Sequence, residues 1–279
     1  MTADVAARAR AIVLRTRGHT HGPITRLASP GDLGRLLKPF VFLDLFGFTP
    51  ATGPGGFGMH PHSGIATLTF MIQGEAWYED TTGKSGVLPT GGVEWMQAGG
   101  GAWHAGAPLG SGPVQGVQLW VALPPPHEDG PAESLYLPPG HVPREGPARV
   151  LLGRHGAAHS PIAAPGSMNY LAVSLKDGER WRYAPPAGHA VAWVAVCSGR
   201  LDAGGPVGAG ELAVFEESGE AIDFVAQGDT GFMLGSAAKH PHPLVTGPYS
   251  VHTSREALAR GEAEIRRIGM RLQREGRLA

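Results

Sequence analysis

The chain reads as an all-β protein closed by one C-terminal helix, and three features of the sequence carry that expectation. Glycine and proline, 43 and 25 of the 279 residues, are interleaved through the chain. They punctuate it as tight turns rather than forming one low-complexity tract. Between them lie short apolar runs that include Thr, Phe, Trp and Tyr, residues suited to a pleated surface. Only after residue 252 does a helical period replace this pattern. Many short strands joined by glycine-rich turns indicate a barrel or sandwich, and the length suits two domains.

In the first half, strands are expected at Phe40–Phe46, Ile65–Ile72, Ala76–Glu79, Val93–Met96 and Gly116–Leu123. Gln73-Gly74 and Thr82-Gly83-Lys84 separate them as hairpin turns. From Pro124 the composition shifts to Pro, Gly and charge, which reads as an interdomain connection over residues 125–147. The expected division is therefore a first barrel over 1–124, the linker, a second barrel over 148–252 and a helix over 253–279. Strands of the second half are expected at Val150–Leu152, Tyr170–Leu175, Val191–Val196, Glu211–Phe215, Ala221–Val225 and Phe232–Leu234. Thr253-Ser254-Arg255-Glu256 fits a capping box, and Leu258, Ile265, Ile268 and Leu272 recur at helical spacing. Arg266, Arg267, Arg271 and Arg274 are expected to form a solvated face near the helix C-terminus.

Charge and composition exclude several classes of function. With 23 basic and 24 acidic residues the formal charge is −1, and no stretch concentrates Lys or Arg enough for nucleic acid or an anionic membrane. The longest clean apolar run, Val191–Cys197, falls far short of the roughly 20 residues needed to span a bilayer. Met1–Arg10 carries Asp4, Arg8 and Arg10 without an apolar core, so no secretory signal is expected. Cys197 is the single cysteine, which rules out an intramolecular disulfide and a thiolate-rich zinc site. A reducing, cytoplasmic setting is expected, with Cys197 a small buried hydrophobe.

Histidine spacing points to the chemistry. Side chains at i and i+2 of a strand share a face, so His60 and His62 of His60-Pro61-His62 can aim at one point, and a loop from a neighbouring strand can bring His104 there. Pro61 favours extended backbone at His60 and offers no N–H, which places the triplet at a strand entrance or edge. Three imidazoles make a site for one divalent transition metal, Fe(II) being the first expectation. Mn(II), Ni(II), Cu(II) and Zn(II) suit imidazole as well. Two more histidine pairs occur. His19/His21 reads as a polar strand end, whereas His240/His242, with His252 beyond, is a rival metal or substrate contact.

The segments around the triad resemble the cupin motifs. Gly74 stands where the first motif has its glycine, Thr67 where it has its glutamate, and Gly92 to Gly99 followed by His104 is similar to the second motif. Pro39-Phe40-Val41-Phe42-Leu43-Asp44, His60-Pro61-His62-Ser63-Gly64, Gly83-Lys84-Ser85-Gly86-Val87-Leu88, Trp95-Met96-Gln97-Ala98-Gly99, Gln118-Leu119-Trp120-Val121 and Gly247-Pro248-Tyr249-Ser250-Val251 together resemble the pirins. That resemblance implies two tandem cupin barrels of jelly-roll type with a metal in the first only. It also implies a ligand set of His60, His62, His104 and a glutamate two residues further on. Gly106 occupies that last position, so the site would lack its one anionic ligand.

The resemblance further implies opening of a flavonol such as quercetin by dioxygen, as in some bacterial pirins, or of another small enolisable or aromatic substrate. With the glutamate gone, Glu94 and Glu75 are candidates to take the substrate proton, unless both lie on the solvated outer face. Of the nearby Trp77, Trp95, Trp103, Met59, Met71 and Met96, the ligand neighbours Met59 and Trp103 are expected to border the pocket. The alternative is a non-catalytic, redox-responsive regulator that binds a partner protein, as eukaryotic pirins are regarded. Sugar-phosphate isomerase chemistry ranks below both, because no Lys or Arg cluster adjoins the histidines to hold a phosphate.

Overall fold

The computed structural model describes residues 10–49 and 56–278. The segment read for a leader therefore lies outside the described residues, apart from Arg10. Two compact units interleave in sequence: residues 10–18 with 143–239, and residues 19–142 with 240–278. Both are antiparallel β-structures, and the chain closes in a helix over Arg255–Arg274. No helix among the described residues is long and apolar enough to cross a membrane.

The interleaving redraws the expected division. Residues 125–147 are not an unstructured linker: they hold a short helix at Pro125–Glu128 and a strand at Glu133–Leu137 that pairs with Val93–Gln97. The alternation of Leu135 and Leu137 with polar residues in a proline-rich stretch was too brief to signal a strand. Strand Ile12–Thr16 pairs with Leu212–Phe215 and so belongs with the later unit, and residues 240–252 belong with the earlier one. Residues 222–225 of the expected Ala221–Val225, together with Phe232–Leu234, are parts of one strand, Ile222–Ala237, which runs through the polar Gln227-Gly228-Asp229.

The unit of residues 19–142 and 240–278 contains a seven-stranded and a four-stranded sheet. The first runs in the order Glu133–Leu137, Val93–Gln97, Ile65–Gln73, Val114–Ala122, Phe40–Phe48, Ile24–Ala28, His19–His21. The second runs Phe57–His62, Ala102–Leu109, Glu75–Asp80, Ser85–Leu88. His60-Pro61-His62 ends the edge strand of the smaller sheet, where a missing N–H costs least. The chain then turns at Gly64, whose φ of 71° and approach to Val251 O, 2.1 Å from where a Cβ would stand, admit only glycine.

The other unit holds a nine-stranded sheet whose buried face includes Val150, Leu171, Val194, Phe215, Phe224 and Leu234. Arg10 is buried there, its guanidinium donating to Glu216 O at 2.7 Å and to Ala190 O. Cys197 sits in the same sheet, half-buried rather than buried as expected, and desolvation pushes its thiol up to about 12, away from the reactive thiolate.

A buried polar network ties the C-terminal segment to the strand that carries the histidines. Ser63 Oγ lies 2.7 Å from Ser250 Oγ and 3.0 Å from His252 Nε2, and His252 Nδ1 lies 3.4 Å from Glu128 Oε2. Glu128 also accepts from the N–H and hydroxyl of Thr253, both at 2.6 Å. With Thr253 so engaged, the helix is capped one residue later than the sequence suggested, by Ser254 Oγ accepting from Ala257 N at 3.1 Å. The buried stripe is Ala257, Gly261, Ile265, Ile268 and Leu272, with Leu258 only half-buried. Arg266 and Arg267 are exposed and pair with Glu262 and Glu264 of the same helix.

Gly261 lets this network reach the helix, since a Cβ there would stand 2.4 Å from His252 Nε2 and 2.5 Å from Ser63 Oγ. A Gly→Ala change inside a helix ordinarily stabilises by roughly 0.5–1 kcal/mol. Gly261→Ala is expected to destabilise instead, and Ser254→Ala to cost about 1 kcal/mol, both read from denaturant unfolding midpoints at unchanged slope.

Candidate metal centre

His60 and His62 lie on one strand, Phe57–His62, and His104 lies on its neighbour, Ala102–Leu109, directly opposite His60 in the register. The glycine-rich turn thus precedes His104 rather than carrying it. Alternation along the first strand and pairing across the two bring the three imidazoles together. One nitrogen from each lies within 4.8 Å of the others, and the ring centroids are 4.4 to 5.1 Å apart.

Each ring is fixed by an acceptor on its outer nitrogen. Nδ1 of His60 donates to Gly58 O at 2.7 Å, that of His62 to Tyr249 O at 3.1 Å, and that of His104 to Glu94 Oε1 at 3.0 Å. Two carbonyls and a carboxylate can only accept, so the proton sits on Nδ1 and the Nε2 lone pair is left free in all three. The Nε2 atoms of His62 and His104 are buried without a hydrogen-bond partner, an arrangement that costs stability unless something else uses the lone pairs. A metal ion would use them, and an acceptor on the second imidazole nitrogen is the usual company of a ligating histidine. The residues present therefore fit a divalent transition metal.

Electrostatics suit the same role. Burial, with repulsion from His104, pushes the His60 imidazole down to about 4, and burial with its two neighbours pushes His62 well below the ordinary value. Both are neutral near pH 7, as metal ligation requires. Burial tends to raise the Glu94 carboxyl. The charge and hydrogen bond of His104 and a hydrogen bond from Thr69 outweigh it and hold Glu94 below the ordinary carboxylate range. Glu94 is thus an ionised acceptor for His104, whereas Glu75 is exposed at a strand end.

His60 borders two spaces. The inner cavity is walled by Phe46, Phe48, Met71, Trp77, Leu88 and Val114, with His104 and Glu94. An outer cleft is lined by His62, Phe42, Trp120, Tyr249 and Arg26, and the two share Ile24, Asp44, Phe57, His60 and Gln118. Met59 and Trp103 line neither. Each is one residue from a ligand, so strand alternation turns it to the other face. Trp103 donates its indole N–H to Ile265 O of the C-terminal helix at 2.9 Å.

Across the seven-stranded sheet a single row of polar side chains faces the histidines. Arg26, Asp44, Gln118, Thr69, Glu94 and Tyr136 stand opposite one another on six consecutive strands. Asp44 has a signal in the sequence, as the one charged residue in the apolar strand Phe40–Phe48. Gln118 and Thr69 are neutral and gave none, and Tyr249 acts through its backbone.

Gly106 is the next inward position after His104 and lines the cavity. A Cβ there would meet only Trp77 O, at 3.3 Å. Among the described residues the other histidine pairs do not form a comparable group. His19 and His21 are exposed on an edge strand, and His252 is turned away into the network with Ser63 and Glu128.

Glu94→Ala is expected to weaken Zn(II) binding by roughly 10- to 100-fold, measured by chelator competition. The pH dependence has a definite sign. Unfolded histidines take protons near 6.5 and folded His60 only near 4. The metal-free protein should therefore hold its full stability above 6.5 and lose it progressively as pH falls towards 4. Denaturant midpoints measured across that range check this.

Comparison with known proteins places this geometry in a family. The Pirin family profile matches residues 23–121. A Pseudomonas aeruginosa protein whose name provisionally makes it a quercetin 2,3-dioxygenase is 31% identical over 252 residues, 85% of this chain and 87% of that protein. A pirin-like protein of Caulobacter vibrioides is 31% identical over 233 residues, covering 76% of this chain and 78% of its own. Among solved structures, a quercetin 2,3-dioxygenase from Acinetobacter baumannii superposes with a TM-score of 0.85 at 24% identity, over 93% of this chain and 98% of that one. The bacterial pirin YhhW from Escherichia coli, in complex with nickel(II), does so with a TM-score of 0.65 at 18% identity, over 84% and 99%. Their likeness shows the cupin fold. The sequence relatives show more: this chain belongs to the pirin family.

Proposed function

We propose that the chain is a metal-dependent dioxygenase acting on a small enolisable aromatic substrate of the flavonol type. The observation that carries this reading is the set of three imidazoles with their Nδ1 protons held outward and their Nε2 lone pairs gathered at the edge of an aromatic cavity. A divalent ion held by His60, His62 and His104 would supply Lewis acidity towards an enol or hydroxy-ketone oxygen and a one-electron route to dioxygen. Fe(II) is the first choice for oxygen chemistry, and nickel(II), present in the solved pirin, is the next to test.

The chain's own residues supply the rest. Gly58, Tyr249 and Glu94 keep the imidazoles oriented, so the site needs no rearrangement to receive an ion. Phe46, Phe48 and Trp77 offer flat apolar faces to an aromatic ring and keep water from it. Because Gly106 contributes no carboxylate, three neutral ligands leave the charge of the ion uncompensated, which favours an anionic chelating substrate. The names of the relatives support quercetin as the first substrate to try.

Anaerobic loading with Fe(II) or Ni(II), metal analysis, and oxygen-electrode assays with quercetin and a simple diketone test this. One metal per chain and substrate-dependent oxygen uptake are expected, with both lost in His60→Ala and His104→Ala. Gly106→Glu should raise metal affinity by supplying an anionic fourth ligand. Metal binding without uptake on any of these substrates would favour a regulator that binds a partner protein, and failure to bind metal would contradict the proposal outright.

A further inference from the structure

To become a chelating anion, an enolic substrate must lose a proton, and the three histidines offer no place for it. Their Nδ1 atoms already carry protons, and their Nε2 lone pairs face the metal position. Gly106 has no side chain to help. Two carboxylates line the inner cavity, and one of them, Glu94, holds the Nδ1 proton of His104, so that protonating it would release the ring it orients. The other is Asp44.

Asp44 occupies the polar row between two largely apolar ones, Phe42 and Trp120 on one side and Phe46, Gly116 and Met71 on the other. It is 6% exposed and lines both the inner cavity and the outer cleft, as His60 does. Its oxygens accept from Arg26 Nε and Nη2, each at 3.0 Å, and the Arg26 guanidinium lies 4.3 Å over the Phe42 ring. An aspartate in such a place is either a fixed half of an ion pair or a group that reacts, and its access to the space beside His60 decides between them.

Building on the dioxygenase reading, we infer that Asp44 accepts the proton of the substrate hydroxyl and that Arg26 then balances the charge left on the substrate. The substrate O–H bond breaks, an O–H bond forms on an Asp44 oxygen, and the electron pair stays on the substrate oxygen as an enolate. Nothing is oxidised or reduced. Net charge is unchanged, because the carboxylate that had paired with Arg26 is replaced by the enolate. Burial raises the Asp44 carboxyl above its ordinary range in spite of Arg26, which makes it a better acceptor than an exposed aspartate. The substrates this fits carry an acidic hydroxyl next to a carbonyl and an apolar ring system.

Quercetin binding to the Zn(II)-loaded protein, followed by calorimetry in two buffers of different ionisation enthalpy, counts the protons released on binding. Zn(II) is redox-inert, so binding is read without turnover. Wild type should release clearly fewer protons than Asp44→Asn, which should release about one per quercetin bound. In the Fe(II)-loaded protein, oxygen uptake by Asp44→Asn should fall by roughly 100-fold in mildly acidic buffer, where solvent takes the proton least readily, and recover as pH rises. Adding Gly106→Glu to Asp44→Asn should restore much of it, which separates a missing proton acceptor from a misfolded cavity. Equal proton release by wild type and Asp44→Asn would overturn the role of Asp44 and leave the dioxygenase reading standing. Unequal release with no oxygen uptake by wild type would overturn that reading alone, and no quercetin binding by wild type would overturn both.

Discussion

Everything about the candidate centre depends on where three imidazole protons are held. Gly58 O, Tyr249 O and Glu94 each take the Nδ1 proton of one ring, and the lone pairs that remain are thereby turned towards a common point. Two of these nitrogens are buried without a hydrogen-bond partner, at a cost to stability that binding an ion there would recover. The fold supplies the acceptors from three different places: the same strand, a distant turn near the C-terminus, and the facing sheet. That is why the C-terminal segment, far away in sequence, is integral to the centre. Tyr249 precedes Ser250, and Ser250, Ser63, His252 and Glu128 fasten that turn to the strand ending at His62.

The same arrangement explains how negative charge is distributed in the cavity. With glycine at position 106, the histidine sheet contributes no carboxylate to the cavity lining among the described residues. The acidic groups stand instead on the opposite sheet, in one register row, each next to a group that limits what it can do: Glu94 with His104, Asp44 with Arg26. On the proposed reading, an ion held by the three histidines would face this row of donors and acceptors between aromatic walls, an arrangement that would suit a flat molecule with one acidic, oxygen-rich edge. On the dioxygenase reading proposed above, proton handling would fall to a different sheet from metal ligation, whereas the apolar walls come from both, Phe46 and Phe48 from one and Trp77 from the other.

Much of this was legible in the sequence, for identifiable reasons. Strand periodicity and glycine spacing gave the all-β class, and the i, i+2 geometry of His60 and His62 with His104 gave the triad, because those signals are local. What was not legible depends on contacts distant along the chain. The boundary between the units does fall inside residues 125–147, at Val142 and Pro143, but the linker reading missed that Glu133–Leu137 becomes a strand by pairing with Val93–Gln97, in spite of its proline-rich surroundings. Met59 and Trp103 were placed by proximity along the chain, and strand alternation sent them to the other face. Asp44 could have been noticed as a lone charge in an apolar strand, but only the register shows it across the cavity from the histidines. Tyr249 contributes a carbonyl, for which side-chain identity carries no information.

The most direct test of the central claim is X-ray absorption spectroscopy of the protein loaded with one equivalent of Zn(II). Three imidazole nitrogens at about 2.0–2.1 Å, with the remaining shell made of solvent oxygen, is the predicted result, reduced to two imidazoles in His104→Ala. A shell with fewer than three imidazoles, or one unchanged in His104→Ala, would contradict the account.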